Sequence, residues 1–469
     1  MYIFVHTVCR AVGIPCRTVT SYNSGSGIDG RLTVDCYYEL REDGIIEEIN
    51  DLDDEDLIWN FHVWNDVWMK RIDLENPYNE PEWQALDATP SINGNGKLSC
   101  GPAPHYAVKN GHTEVNHDTG TIFAKINADI VQWLKLDMGE WTVFNVQSSR
   151  LGHSISSKTP DGRPAQLTYK YNLSEMSRIR QDITSDYKHK KGTQQERDIV
   201  KRPPRKPRPM HHCKTKDVKF SLEDKEFEYF GDDFNVKANV SNLSNEERTV
   251  HVILQCENIH YNGKRHEIIK QRQWTITIPP NEDNQLVLGV YESDYLGKLT
   301  EHTCLRQVGY LNVQETEQIE ASKLNFLLQK PHLELQVEET VYKNTNFALK
   351  LFFKNPLHRS LSNCCVSVEG AGLESMMFIR QFRNVAAQCE WTGVVNLMPV
   401  RSKSIDLSAT FHCKEMFDII GFTTVKVENG PKEEPEAEVR RSEQINSDIS
   451  ASMTIPDISV TTSHATIPK

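Results

Sequence analysis

The chain has 469 residues, of which 38% are hydrophobic and 25% charged, and this length is enough for about three domains. A formal net charge of −12 argues against a nucleic-acid partner, because neutralising phosphates requires a basic surface. No stretch approaches the ~20 consecutive apolar residues that a membrane span needs, so the sequence predicts a protein that is not transmembrane.

The eleven cysteines occur without paired spacing, and only Cys364 and Cys365 are neighbours. Neither the C-x-x-C pattern of a zinc site nor a compact disulfide framework is present, so we expect reduced thiols in a cytoplasmic protein. The start of the chain shows no signal peptide. Membrane association, or export by a route without a signal peptide, stays open as an alternative location.

The first predicted element is a helix that ends in V-C-R-A-V-G-I-P-C-R at residues 8–17. Aromatic-rich strands and Gly/Asn turns follow as far as residue 187, which indicates an α+β region that lacks its N-terminal part. One strand reads W-N-F-H-V-W and contains His62, and the next reads W-Q-A-L-D-A-T-P and contains Asp87. Taken alone, a strand histidine is more often a packed, hydrogen-bonded core residue than a catalytic one.

Together these three motifs resemble motifs of the transglutaminase family, whose core has a papain-like fold and a Cys-His-Asp triad. The family nucleophile lies in a G-Q-C-W-V-F segment, just before a helix that ends in R-x-x-G-I-P-x-R. The resemblance implies that His62 is the general base and that Asp87 orients it by accepting a hydrogen bond from Nδ1. Counting back from the G-I-P word places the nucleophile about three residues before Met1, so we interpret the chain as truncated just after the catalytic cysteine.

The reaction that the resemblance implies is acyl transfer. A cysteine thiolate attacks the carboxamide of a protein glutamine, ammonia leaves, and a lysine ε-amine or polyamine takes the acyl group from the thioester. Without its nucleophile the chain is expected to be inactive as written. The alternative is a non-catalytic transglutaminase-like scaffold or interaction protein, and the retention of His62 and Asp87 argues against it.

No other cysteine is expected to replace the nucleophile. Cys9 lies about twelve residues further along the helix, ~18 Å down its axis. We interpret Cys9, Cys16, Cys36 and Cys100 as structural. Trp59 is the indole most expected to line the site and exclude water, which would otherwise hydrolyse the thioester.

Calcium is the cofactor that the resemblance implies. The word I-N-A-D offers Asn127 and Asp129 as hard oxygen ligands, and it matches the segment that forms the family's principal calcium site. Glu175 is a third candidate, after T-Y-K-Y, where the family tends to have two glutamates. A second family loop keeps Asp29 but is otherwise degraded, and the acidic run at residues 39–56 is a solvated face or a weak additional site.

The rest of the chain reads as a linker, two β-sandwiches and a tail. Residues 188–216 are basic and rich in proline, which predicts an exposed linker, with nuclear import or anionic-lipid binding as the alternative. Period-two alternation then predicts two immunoglobulin-like sandwiches at 217–329 and 330–428, and a disordered tail at 429–469. The alternating sets include Phe234/Val236/Ala238/Val240, Trp274/Ile276/Ile278, Leu333/Leu335/Val337, Phe347/Leu349/Leu351/Phe353 and Leu407/Ala409/Phe411.

The predicted fold class is therefore a partial α+β, papain-like transglutaminase core at residues 1–187, followed by two immunoglobulin-like β-sandwiches. The expected partners are proteins that bear glutamine and lysine, together with polyamines.

Overall fold

The computed structural model describes residues 2–26, 32–49, 56–89, 101–136, 139–148, 150–159, 180–201, 210–211, 213–225, 227–300, 302–337 and 340–430. Within these ranges the helices are α1 (Tyr2–Ala11), α2 (His105–Asn110), α3 (Thr119–Asn127), α4 (Thr184–Tyr187), α5 (Gln194–Lys201) and α6 (Glu292–Tyr295). Each of these helices falls short of the length and apolarity needed to cross a bilayer.

The strands of the first part of the chain are β1 (Cys16–Ser26), β2 (Thr33–Leu40), β3 (Ile46–Glu48), β4 (Leu57–Met69), β5 (Glu82–Leu86), β6 (Ala103–Pro104), β7 (Asp129–Lys135), β8 (Trp141–Gln147), β9 (Ser154–Lys158) and β10 (Arg180–Asp182). They form a six-stranded sheet, in the order β10-β9-β1-β4-β5-β6, and a four-stranded sheet, in the order β3-β2-β7-β8. With helices α1 to α5 they make up the α+β region.

The next strands are β11 (Val218–Leu222), β12 (Phe227–Tyr229), β13 (Phe234–Asn242), β14 (Arg248–Ile259), β15 (Arg265–Ile278), β16 (Asp283–Val290), β17 (Cys304–Val313) and β18 (Gln318–Gln329). The last are β19 (Glu334–Gln336), β20 (Val341–Tyr342), β21 (Phe347–Lys354), β22 (Cys365–Gly370), β23 (Met377–Gln381), β24 (Glu390–Leu397), β25 (Lys403–His412) and β26 (Ile419–Glu428). Each set forms a three-stranded and a five-stranded sheet, which we call the first and the second sandwich.

The turn after α1 explains the G-I-P word at the end of the helix. The N–H of Ile14 donates to the Cys9 carbonyl at 2.9 Å, and Gly13 adopts a positive φ of 85°, the usual way to end a helix. Pro15 cannot continue the helix, and β1 begins at Cys16. The G-I-P motif therefore connects α1 to β1, the strand that pairs with β4.

The sandwiches confirm the predicted fold class. Phe234, Val236, Ala238 and Val240 are all buried on β13, and Phe347, Leu349, Leu351 and Phe353 are all buried on β21. Trp274 and Ile276 are only partly buried, because β15 is an edge strand of its five-stranded sheet. The two sandwiches share one continuous apolar core.

Part of the predicted linker is ordered structure. Helix α5 lies within residues 188–216, and its Ile199 is buried. Lys188 is half-buried and donates to the carbonyls of Ile126 and Leu151, both at 2.8 Å. A few apolar and hydrogen-bonding groups thus attach the first half of this segment to the α+β region. Residues 202–209 and the predicted tail from 431 onward lie outside the described residues, and the predicted domain boundaries stay a prediction.

The first sandwich is attached to the α+β region through a buried apolar cluster. Tyr38 and Leu134 of the four-stranded sheet pack there against Val308 and Tyr310 of β17, and the Tyr38 and Tyr310 ring centroids lie 5.8 Å apart. The Asn312 side-chain amide also donates to the Gly44 carbonyl at 2.9 Å. The contact therefore has an apolar centre with hydrogen bonds around it.

The turn between β14 and β15 docks directly on β4. The Asn60 N–H donates to the Tyr261 carbonyl at 3.0 Å, and the Tyr261 ring packs edge-on against Trp59 with centroids 5.6 Å apart. Gly263 makes this approach possible, because its φ is 81° and a Cβ there would lie 2.0 Å from the Ile58 carbonyl oxygen. The sandwich thus reaches the strand that carries His62.

Gly263→Ala is expected to lift this turn off β4. The positive φ alone costs an alanine about 1–3 kcal/mol, and the steric clash with the Ile58 carbonyl adds to it. Hydrogen exchange is expected to show faster exchange of the Asn60 amide. Gly297→Ala is the matched control, because φ is 88° there but nothing lies within 4 Å of the added Cβ. Equal protection of Asn60 in the two variants would contradict the docking role.

Candidate active site

His62 and Asp87 come together from neighbouring strands. His62 lies in the middle of β4, and Asp87 directly follows β5, which pairs with β4 in antiparallel register. The His62 Nε2 and Asp87 Oδ2 atoms are 2.6 Å apart, and only 5% and 0% of the two side chains are exposed. The two residues singled out from separate sequence words therefore form one buried hydrogen-bonded pair.

The ring nitrogen that contacts Asp87 is not the expected one. The family resemblance implies a contact through Nδ1, whereas in the structure Nε2 makes the contact. Because an ionised carboxylate can only accept, Nε2 carries the proton in this pair. Nδ1 is then the nitrogen that remains for proton exchange with a nucleophile. Which nitrogen Asp87 reaches depends on the rotamer of the ring, which the strand pattern does not determine.

A third residue completes the environment of Asp87. The Lys125 ammonium lies 2.5 Å from Oδ2, and the Thr89 N–H donates to Oδ1 at 2.8 Å. Burial alone would raise the pKa of Asp87, but the His62 hydrogen bond and the Lys125 charge outweigh it and hold this pKa well below its usual range. Sequence reasoning missed Lys125, because a lysine in the last turn of a helix is ordinarily an exposed residue that complements the helix dipole.

Aromatic rings from both parts of the protein surround His62. Trp59 packs edge-on against the imidazole with centroids 4.8 Å apart, and Trp64, fully buried, lies at 5.9 Å. Tyr261 of the first sandwich packs edge-on against Trp59, with ring centroids 5.6 Å apart. Trp68 and Trp83 instead pack against each other at 5.5 Å. The expected role of Trp59 in lining the site therefore has a contact to support it.

A second buried carboxylate lies on the same strand. Asp66 accepts from Arg17 Nε at 2.9 Å and contacts His105 Nε2 at 3.0 Å. It also accepts from the Tyr187 hydroxyl, which in turn accepts from Trp64 Nε1 at 2.8 Å. Burial would raise the pKa of Asp66, but the charge and hydrogen bond of His105 and the charge of Arg17 keep it low. This network ties β4 to the helices that cover the sheet, and no sequence word indicated it.

The described cysteines do not contribute to the pair. The described ring and side-chain contacts of His62 are with Asp87, Trp59 and Trp64. Burial, together with the neighbouring Cys9 thiol, raises the pKa of Cys16 to about 11, which makes it a poor nucleophile. Cys100 lies outside the described residues. The expectation that these thiols are structural stays a prediction.

Two of the three predicted calcium ligands, Asn127 and Asp129, lie at one chain turn. Asn127 ends α3, and Asp129 begins β7 with its side chain fully buried. Glu175 lies outside the described residues. The neighbouring Ile126 carbonyl accepts the Lys188 ammonium, so a cation is already bonded beside Asn127.

Calcium takes six to eight oxygen ligands. In the part of the chain that the structure covers, no group of three or more His, Cys, Asp or Glu is placed to hold a metal. The described residues therefore do not fit a calcium ion by themselves.

Comparison with known proteins agrees with the fold and with the two strand motifs that contain His62 and Asp87. A family model described as "Transglutaminase-like superfamily" matches residues 3–88, and one described as "Transglutaminase family, C-terminal ig like domain" matches residues 218–323. The first match includes both His62 and Asp87. The second covers nearly all of the first sandwich.

Similar proteins include a hemocyte protein-glutamine gamma-glutamyltransferase of Tachypleus tridentatus, 32% identical over 90% of this chain and 54% of the relative. Protein-glutamine gamma-glutamyltransferase 2 of Gallus gallus is 29% identical over 91% of this chain and 58% of the relative. A crystal structure of red sea bream transglutaminase superposes with a TM-score of 0.71 at 27% identity, over 90% of this chain and 59% of that chain.

The chain thus spans 54% to 59% of the length of these three relatives. Its α+β region, its two sandwiches and its two family matches agree with one another. By these matches the chain carries a transglutaminase-like core and a transglutaminase C-terminal ig-like domain.

Proposed function

We propose that this chain supplies the histidine base and the orienting aspartate of a protein-glutamine gamma-glutamyltransferase site. The observation that carries the proposal is the buried 2.6 Å contact between His62 and Asp87. A histidine paired with a carboxylate through one ring nitrogen and able to exchange a proton through the other is the arrangement that activates a cysteine nucleophile. The names of the relatives supply the substrate class, namely protein glutamine.

In the proposed reaction, His62 Nδ1 takes the proton of a cysteine thiol, and the thiolate attacks the carboxamide carbon of a glutamine side chain. The same nitrogen then returns the proton to the departing ammonia, which leaves a thioester. His62 next takes a proton from an incoming lysine or polyamine amine, which displaces the thiolate and forms the isopeptide bond. Asp87 holds the ring in place and stabilises the imidazolium in each step.

The nucleophile is proposed to precede α1, as the resemblance implies. Helix α1 packs against β1 and β4, the strand that carries His62. The Trp68 N–H also donates to the Pro15 carbonyl at 2.9 Å, which fixes the turn after the helix relative to β4. A cysteine directly before α1 is therefore held by a helix that packs against the strand of His62.

The rings around His62 support acyl transfer to an amine rather than to water. Trp59 and Trp64 pack against the imidazole, and Tyr261 of the first sandwich packs against Trp59. Excluding water from this surface protects a thioester while an amine approaches. A cytoplasmic location and polyamine substrates are part of the same proposal and rest on the sequence analysis.

Calcium dependence is also proposed, with Asn127 and Asp129 as its described side-chain ligands and Glu175 as a third. The two described residues offer amide and carboxylate oxygens, the donors that calcium prefers. Because the described residues do not complete a ligand set, and because Lys188 already occupies the Ile126 carbonyl, we expect weak binding.

A chimera tests the catalytic assignment. It joins the N-terminal part of the Tachypleus tridentatus relative, through its nucleophile segment, to residues 2–469 of this chain. We expect the chimera to incorporate a labelled amine into casein and the chain alone to do so not at all, because the thioester needs the thiol. His62→Ala is expected to abolish incorporation, and Asp87→Ala to reduce kcat on the order of 10⁴-fold, as in a serine triad with a misplaced histidine.

The control for the chimera is His112→Ala, which removes a ring that is hydrogen-bonded to Tyr78. Near-normal rates in His62→Ala would remove this residue from the mechanism. A chimera that is folded by thermal melting but incorporates no amine would favour the non-catalytic scaffold.

Isothermal titration tests the calcium proposal. The intact chain is expected to bind calcium more weakly than the about 10⁻⁷–10⁻⁵ M of a sensor site with a full ligand set. Asp129→Ala is expected to abolish the binding isotherm, whereas Asp406→Ala, which removes a carboxylate bonded to Thr424 in the second sandwich, leaves it in place. Unchanged affinity and stoichiometry in Asp129→Ala would show that the ion binds elsewhere.

A further inference from the structure

The carboxylate that orients His62 has a second, charged partner on the same oxygen atom. Asp87 Oδ2 lies 2.6 Å from His62 Nε2 and 2.5 Å from Lys125 Nζ. The Lys125 side chain is only 7% exposed, so its ammonium is held inside the protein against the pair. The imidazole therefore shares its acceptor with a full positive charge.

Lys125 has few other ways to compensate its charge. Its neighbours Ala124 and Ile126 are buried, and the described ion pair of its ammonium is with Asp87. The Ser24 hydroxyl donates to the Lys125 backbone carbonyl at 3.4 Å, which fixes the end of α3 relative to β1. This bond does not involve the Lys125 side chain. Since a buried charge is tolerated only when it is paired, the Lys125 side chain is committed to Asp87.

We propose that Lys125 is a positioning residue of the acyl-transfer site, which holds Asp87 in the orientation that meets His62 and weakens the pull of its oxygen on the imidazole proton. Its catalytic meaning rests on the proposed function, but the contact itself does not. The proposal adds a fourth member to the cysteine, histidine and aspartate that the family resemblance implies.

Two physical effects follow from this arrangement. First, the ammonium and the Thr89 N–H hold the two carboxylate oxygens from different sides, which restricts rotation of the Asp87 side chain. Second, the ammonium neutralises the charge of Asp87, so the carboxylate stabilises a positive imidazolium less than an unshared one would. Lys125 thereby limits how strongly the pair favours the thiolate and imidazolium over the neutral thiol and imidazole.

The ring proton of His62 reports on this contact without any catalysis. In the isotope-labelled chain, its Nε2–H resonance is expected to shift in Lys125→Met, because the carboxylate then lacks both the ammonium that shares Oδ2 and the contact that restricts its rotation. Lys188→Met is the control, since Lys188 is a half-buried lysine whose ammonium also bonds to the end of α3 but donates to backbone carbonyls. That variant is expected to leave the His62 resonance in place.

A double-mutant cycle covers the case in which Lys125→Met does not fold. Removing both charges in Asp87→Asn/Lys125→Met avoids an unpaired buried charge, so its thermal midpoint is expected to fall less than the sum of the two single losses. An unmoved His62 resonance in a folded Lys125→Met, or additive losses in the cycle, would overturn the proposal.

In the chimera, Lys125→Met is expected to lower kcat for amine incorporation on the order of 10²-fold, because misplacing a catalytic group by about 1 Å can cost that much, with KM little changed. A normal kcat in this variant would also overturn the proposal. The resonance and the cycle need no activity. If they show the coupling while the unmodified chimera is inactive, the proposed function fails and the role of Lys125 in holding Asp87 stands.

Discussion

The register of β4 between β1 and β5 is the constraint on which the site depends. Side chains alternate along a strand, so His62, Trp64 and Asp66 share one face, and all three are buried. Phe61 and Trp59 belong to the other alternation and meet Tyr261 of the first sandwich. A slip of one residue would move every one of these groups to the wrong face.

Two buried carboxylates make this register costly to change. Asp66 is paired with Arg17 and His105, and Asp87 with His62 and Lys125. Each carboxylate pairs with a basic group from a helix that packs on the six-stranded sheet, because an unpaired buried charge would cost several kcal/mol. The same pairs that allow the sheet to bury charge therefore also locate the helices around the site.

Local patterns were sufficient for the sandwiches and for the end of α1, whereas the residues of the pair came from the family resemblance. The G-I-P motif ends a helix through its own backbone hydrogen bonds. The apolar side chains that alternate along β13 and β21 are buried, as their period of two predicts. The nitrogen of His62 that meets Asp87 could not be predicted in this way, because it depends on a side-chain rotamer. Resemblance supplied the nitrogen that proved wrong.

The remaining features depend on contacts between distant parts of the chain. Lys125 is 38 residues from Asp87, and Tyr187 is 121 residues from Asp66. Nothing in the composition near Lys125 distinguishes it from a solvated lysine. Helix α5 likewise lies in a segment whose polar composition predicted a linker, and Ile199 is among its few apolar side chains.

The apolar cluster around Tyr38 and Tyr310 links access to the site with exposure of the protein interior. Moving the first sandwich away from β4, so that a bulky polypeptide can approach His62 from that side, also uncovers these two rings and their neighbours. Opening is therefore opposed by the hydration of that surface. A binding partner that covers the uncovered surface would favour the open state by its difference in affinity for the two states.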